Sequence, residues 1–327
     1  MQLTIDEARQ LIVGVMQAFE HTADEAGIIA DHLIDCELRG LAYGGLPRAL
    51  SIAEHLQRTG NRRRPIEILQ ETPVSARLDG GDYIGYIVAL RAMEIAIEKA
   101  SASGVAMVGA NNTWYTGMLS YFAEMAAAEG LVSMIASNTS PWVAPHGASE
   151  GRYGTNPICF GFPGEDDPVI WDIGTSAITH AEVTLAGRRG EELDEGMAFD
   201  PEGRPTRNPA AALEGAFAPW AGHRGSGLGL VVQMLGIMAG SPPLPPHLED
   251  FGILMVVMKP DLLVSAEEFR ANIAAYAESV RGARPVEGGP PVRMPFDRSA
   301  AERRKRREAN AIEIDDAVHA RLKELAA

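Results

Sequence analysis

The sequence predicts an α/β fold in which helices layer on a mixed sheet. Two observations carry that expectation. Through the middle of the chain, short apolar runs of buried-strand length alternate with longer runs of helical periodicity. Near the N-terminus, two capping-box signatures each stand before an amphipathic run.

The elements follow in order. Thr4-Ile5-Asp6-Glu7 and Thr22-Ala23-Asp24-Glu25 put a hydroxyl at an N-cap and a carboxylate three residues on. Leu11, Ile12, Val15 and Phe19 form the apolar stripe of the first helix; Ile28, Ile29, Leu33 and Cys36 form that of the second. Arg48–Gln57 reads as a third helix. Gln70–Leu78 reads as a strand with Pro73 at its edge, and Asp79-Gly80-Gly81-Asp82 as a turn. Next come an Ala-rich helix over Ile84–Ser101, a short strand over Val105–Ala110, a helix over Met118–Glu129 and a strand over Leu131–Ser137. Ile158–Phe162 and Val169–Ile173 are further strands. Ser241-Pro242-Pro243-Leu244-Pro245-Pro246 can be neither helix interior nor central strand, so it is a stiff connector. Beyond it lie a strand, Gly252–Met258, a helix, Ala266–Arg281, a Gly/Pro-rich loop over Gly282–Pro295, and helices in the tail to Ala327.

A chain of 327 residues suggests two interlocked domains, and its 46% hydrophobic content is ample for a large core. The expected division is an N-terminal helical part over 1–75, a cofactor-binding α/β part over 76–240, and a segment over 241–327 that returns to the first. The net charge of −15 argues against non-specific binding to nucleic acid or membrane. Arg303-Arg304-Lys305-Arg306-Arg307, flanked by Glu302 and Glu308, reads as a solvated helix face. Cys36 and Cys159 are too few for a disulfide framework or a cysteine-rich metal site, and H-x-x-x-H and clustered-carboxylate patterns are missing, so no metal is expected. The first residues carry no basic-then-apolar signal, and no apolar run approaches membrane-span length, which together suggest a cytoplasmic protein.

No G-x-G-x-x-G follows a strand, and no G-x-x-x-x-G-K-[ST] is present. The richest glycine cluster is Gly222-His223-Arg224-Gly225-Ser226-Gly227-Leu228-Gly229, before an apolar helix over Leu230–Met238. Such a cluster can bring backbone amides and Arg224 to a phosphate, or can simply pack a helix closely on a sheet. Trp171-Asp172-Ile173-Gly174-Thr175-Ser176 is a strand running into small hydroxyl residues. Asp172 there suits either a ribose hydroxyl or a helix cap.

Assembled, these segments resemble the malate/L-lactate dehydrogenase family, which also holds L-sulfolactate and ureidoglycolate dehydrogenases, diketogulonate reductase and Δ1-piperideine-2-carboxylate reductase. The likeness runs nearly end to end. The family's R-G-x-D-S-H-G-V-x-R aligns with Arg39–Arg48, and its N-S-x-H-x-G with Asn112–Gly117. Its T-N-T-x-P-x-V-A-P-x-G and G-T-N-P match Ser137–Gly147 and Gly154–Pro157. Its D-x-A-T-S matches Asp172–Ser176, its R-R-G-x-x-x-x-x-G-x-A-x-D matches Arg188–Asp200, and its G-G-x-K-G-x-G-L matches Ala221–Leu228 with Arg224 for lysine.

The resemblance implies a cofactor domain that is not of the Rossmann type, beside an α-rich domain built from both chain ends. It implies a homodimer that binds NAD or NADP. Its cofactor contacts carry over to Thr139, to Val169–Ser176 (Asp172, Ile173, Gly174, Thr175 and Ser176 among them), to His223 and Arg224, and to Asp297 in the late loop. That P-G-E loop reads Pro295-Phe296-Asp297-Arg298 here, so its glycine is lost.

The family moves a hydride between the nicotinamide and C2 of a 2-keto or 2-hydroxy acid. An arginine holds the carboxylate and a histidine handles the proton. Arg48 matches the arginine, whose fork suits a carboxylate. The family's serine is Tyr43, and its two histidines are Gly44 and Tyr115. Three readings follow. Tyr115 or Tyr43 can supply the proton, because a phenol keeps it at neutral pH. The substrate can be a cyclic imine, which accepts hydride as a protonated iminium without a strong acid. Or the chain binds a nucleotide without turnover. His146, His180 and His223 lie near matched motifs and suit plain hydrogen-bonded loop roles; Trp114, Trp142 and Tyr153 fit either core packing or a wider, aromatic pocket.

Overall fold

The computed structural model describes residues 1–327. A two-residue strand, β1 (Gln2–Leu3), precedes α1 (Ile5–Ala18), α2 (Ala23–Leu38) and α3 (Leu46–Thr59). Both capping boxes form: Thr4 and Thr22 accept from the backbone of Glu7 and Glu25, whose carboxylates answer the two N-cap amides. A hairpin of β2 (Glu67–Thr72) and β3 (Ser75–Ile84) follows. Then come α4 (Gly85–Ser103), β4 (Val105–Trp114), α5 (Leu119–Ala128), β5 (Val132–Ser137), β6 (Ile158–Phe162) and β7 (Val169–Ile173).

A less regular excursion holds α6 (His180–Arg189), β8 (Ala198–Phe199), β9 (Pro205–Thr206), α7 (Pro209–Glu214) and β10 (Ala216–Phe217). The chain returns through α8 (His223–Met238), β11 (Phe251–Met258) and α9 (Ala266–Arg281). It ends in α10 (Asp297–Ala309), β12 (Ile312–Glu313) and α11 (Asp316–Ala326).

The main sheet has seven strands in the order β2-β3-β4-β11-β5-β6-β7. Only β3 and β4 run parallel, with α4 as their crossover; every other neighbour is antiparallel, so the sheet is mixed. β11 enters late and lies between β4 and β5, which ties the last third of the chain to the centre of the sheet. Its alternating Ile253, Met255 and Val257 join Leu78, Val108, Phe122 and Ile135 in one buried core beneath α4 and α5. A second core gathers Ile12, Val15, Leu33 and Ile52 from the N-terminal helices with Ile312, Val318 and Leu322 from the tail. Trp114, Tyr115 and Phe251 belong to this second core. They stand where the sheet ends meet the helices, and that seam holds the site.

Three expectations about elements are corrected. Gln70–Leu78 is not one strand but the inner part of the β2–β3 hairpin, with Pro73 and Val74 in its turn. Asp79–Asp82 lies inside β3 as an irregularity, with Gly81 and Asp82 at positive φ. The glycines of 222–229 are not a loop before a helix: α8 begins at His223, with Gly225 and Gly229 against packed neighbours and Gly227 open. A Cβ at Gly229 would lie 2.4 Å from the Tyr153 ring, so this glycine lets the helix close on that ring.

Candidate active site

A cavity of about 540 Å³ opens at the seam. Its wall comes from the first turns of α3, α4 and α6, the end of β4, the end of β7, and the loop before α10. Side chains from the N-terminal helices, the sheet and the tail therefore meet in one space.

Arg48 enters from the first turn of α3. Pro47 suits that turn, since its missing N–H would have had no helical partner. The buried Glu37 carboxylate accepts from the Leu46 N–H at 2.7 Å and pins the turn; burial pushes that carboxyl up to about 7. The Arg48 guanidinium stands over the Tyr115 ring, 3.7 Å from its centroid. It also faces the Tyr86 phenol, which burial raises above its ordinary range while the cation draws it back. Asp172 is the only carboxylate in the cavity wall, and it is engaged elsewhere.

Tyr115 follows β4 and has a positive φ of 51°, uncommon for a bulky residue. Gly117, at φ 75°, completes the turn toward α5. A Cβ at Gly117 would lie 2.4 Å from both His32 Nε2 and the Tyr86 ring. The chain passes there because His32 is buried against it, accepting from the Met118 N–H at 3.0 Å and stacking on Tyr86 at 4.2 Å. Burial lowers His32 to about 3, so it stays neutral. The strained tyrosine is thus fixed from both sides.

His180 opens α6 and stacks on Trp142 at 4.3 Å. Desolvation and the nearby Arg48 cation lower it to about 3, so it too is neutral and no proton donor at neutral pH. Tyr43 lies toward the other end. The charges acting on its phenol are Glu182, Asp172 and Arg298, and burial raises it above the ordinary tyrosine range. Gly44 packs closely on α2: a Cβ there would sit 3.3 Å from Cys36 Sγ.

Asp172 accepts from the Ser120 N–H at 2.7 Å and so caps α5, whose own N-cap residue, Met118, offers no side-chain bond. Burial raises its carboxyl to about 6 against the pull of those helix amides. Thr139 and Gly174 line the cavity with it. Thr175 is buried, its hydroxyl spent on the Thr155 and Asn156 carbonyls. The Ser176 hydroxyl is buried without a partner, 3.9 Å from where a Cβ at Gly174 would stand. Ile173 turns away to pack with Ile158 and Val232.

His223 and Arg224 sit at the start of α8 outside the cavity wall, with His146 against His223 at 6.1 Å. Asp297 faces a second cleft, where it pairs with Arg281 at 2.8 Å and accepts from the Met294 N–H in the loop before α10. Trp114 is buried in the helical core, its indole donating to the Asp82 carbonyl, and Tyr153 lies under α8. Of the sequence-nominated set, Arg48, Tyr115, Tyr43, Thr139, Asp172, Gly174, Trp142 and His180 share the cavity. Of the late loop, Pro295, Phe296 and Arg298 reach the same wall. Sequence reasoning missed Tyr86, Cys36 and Phe251 there. Tyr86 was hidden inside an ordinary helical pattern. No group of three or more histidine, cysteine or carboxylate residues is placed to hold a metal ion.

The family model described as malate/L-lactate dehydrogenase matches residues 3–323. The L-sulfolactate dehydrogenase of Methanothermobacter thermautotrophicus is 32% identical over 98% of this chain and 95% of its own. A solved dehydrogenase from Sinorhizobium meliloti superposes with a TM-score of 0.92 at 29% identity, over 100% of this chain and 98% of that one. A Δ1-piperideine-2-carboxylate reductase from Pseudomonas syringae pvar. tomato gives 0.82 at 26% identity, over 99% of each chain.

Proposed function

The chain belongs to the malate/L-lactate dehydrogenase family, a family of nicotinamide-dependent enzymes, and on that premise we propose that it interconverts a 2-oxo acid and its 2-hydroxy acid. One observation carries the proposal. Arg48 presents a cation with no carboxylate partner to the cavity, stacked on a tyrosine that can donate a proton.

The wall suits a dinucleotide. Gly174 lines the cavity without a side chain and so allows close backbone approach. Thr139 and Asp172 stand on the same side, and Arg298 can meet a phosphate. A bound reduced nicotinamide would supply the hydride to C2. Arg48 holds the substrate carboxylate and so fixes which face of C2 is presented. Tyr115 gives its proton to the oxygen of C2, and the adjacent guanidinium offsets the charge left on the phenolate. In the oxidative direction the same phenolate takes the proton back.

A second reading, reduction of a cyclic imino acid, is favoured by one feature. His180 near Arg48, His55 at 6.5 Å from the Tyr115 ring and His32 against Tyr86 are all held neutral, and the phenol of Tyr86 is pushed up rather than down. A protonated iminium already carries its proton on nitrogen and becomes the amine on gaining the hydride, so such a site would serve it.

The two readings part on one variant. With NADH and NADPH each tried, Tyr115→Phe is expected to lower 2-oxo acid turnover at least about tenfold, about 1.4 kcal/mol, and to spare turnover of Δ1-piperideine-2-carboxylate. Unchanged 2-oxo acid kinetics would remove Tyr115 from the proton step.

The same reading includes a cytoplasmic homodimer. Both cysteines are free and buried, and no helix is long and apolar enough to cross a membrane. Leu230, Val231, Met234 and Met238 expose an apolar face of α8, which a second copy would cover in the two-fold way common among soluble oligomers. Light scattering is expected to give twice the 35.0 kDa chain mass; a monomer at micromolar concentration would reject this.

A further inference from the structure

The two ends of the cavity differ in kind. At the Asp172 end lie a carboxylate, Arg298 and the threonine hydroxyls. At the Arg48 end the wall is aromatic. Tyr115 lies under the guanidinium, Tyr86 faces it, and His180 beside it stacks on Trp142, which meets Phe251 edge-on at 6.2 Å. The imidazole of His180 is neutral, and Arg188, which also acts on it, lies outside the wall paired with Glu54, so Arg48 is the one charged side chain lining this end.

That arrangement distinguishes substrates by what they carry beyond C2. A second carboxylate would enter an aromatic wall with no second cation, and burying it unpaired is costly. A small aliphatic group would leave the wall unfilled. A flat ring would meet the part of Trp142 left open to the cavity, backed by Phe251, a contact that adds to its area burial.

We propose that the substrate is a 2-oxo or 2-hydroxy monocarboxylate bearing a flat, uncharged ring, its carboxylate on Arg48 and its ring against Trp142. This rests on the dehydrogenase reading above and sharpens it. The reaction is unchanged: the C2 carbonyl gains a hydride, its oxygen gains a proton, and the nicotinamide is oxidised. Trp142 becomes a residue that sets specificity rather than one that takes part in the chemistry.

The test compares phenylpyruvate, pyruvate and oxaloacetate with the purified full chain and either reduced nicotinamide. Phenylpyruvate is expected to lead both others in kcat/KM by at least about tenfold. Trp142→Ala is expected to cut the phenylpyruvate-to-pyruvate ratio at least about tenfold, and Trp142→Phe, which keeps an aromatic face, to preserve most of it. Preference for oxaloacetate or pyruvate, or a ratio untouched by Trp142→Ala, would overturn the ring class and leave the dehydrogenase reading standing. Turnover of none of the three, with nicotinamide still bound by fluorescence titration, would overturn both.

Discussion

Arg48→Ala is expected to lower kcat/KM for a carboxylate substrate at least about a hundredfold, about 2.7 kcal/mol, and chiefly through KM. The size follows from the surroundings. The guanidinium is half-buried, lines the cavity, and has no protein carboxylate against it. A substrate carboxylate would therefore make its charge-assisted, two-point contact in partial desolvation, where such bonds are strongest. Alanine leaves that carboxylate facing Tyr86, Tyr115 and His180, none of which carries positive charge at neutral pH. Part of the loss should also reach kcat, because the cation over the Tyr115 ring helps hold that side chain, a contact worth about 0.5–2 kcal/mol. Arg48→Lys keeps the charge and loses the planar fork, so it should recover only part of the loss. A KM for Arg48→Ala within about threefold of the parent would take the residue out of the substrate site.

Much of the layout was legible because its signals are local. Thr4 and Thr22 announce their helices through side chains three residues apart, and the strands Ile158–Phe162 and Val169–Ile173 are marked by apolar runs. The rest depends on contacts far apart in sequence. β2 is exposed at every position, so it carries no alternation to read and is a strand only because β3 pairs with it. The glycines of 222–229 resembled a phosphate loop; Gly225 and Gly229 instead lie within α8, where the Trp220 carbonyl and the Tyr153 ring occupy the space side chains would need. Arg48 and Tyr115 could be nominated from a resemblance, but Tyr86 and Phe251 could not. Tyr86 reaches the cavity from the first turn of α4, and Phe251 from a strand that joins the sheet 137 residues after β4 ends. Asp172 could be narrowed to two roles by its position, and only the placement of α5 against β7 shows that it caps a helix.

The other large effect is expected away from the substrate. Arg39→Ala should destabilise the protein by about 3–5 kcal/mol, read as a fall in the urea midpoint at unchanged slope. Arg39 is fully buried, and its Nε donates to Asp35 at 2.6 Å while Nη2 donates to Glu124. Arg303 from α10 binds the same two carboxylates, at 3.2 Å and 2.6 Å, so two cations and two anions close a ring across α2, α5 and α10. Removing one cation leaves Asp35 and Glu124 sharing Arg303, with only the more distant Arg307, 3.8 Å from Asp35, to help. Arg39→Met with Glu124→Gln removes one charge of each sign and should recover part of the loss; a double variant no better than the single would mean that packing, not charge, sets the cost. The ring also reaches the cavity. Arg39 lies 4.4 Å from the centroid of Phe296, a wall residue held at a φ of 79° just before α10. A left-handed phenylalanine persists only where its surroundings over-determine it, and Arg39 is one of those constraints. Loosening it should therefore raise KM for the nicotinamide as well as lower stability, because the same buried guanidinium that joins the tail to the N-terminal helices also seats the cavity's last wall.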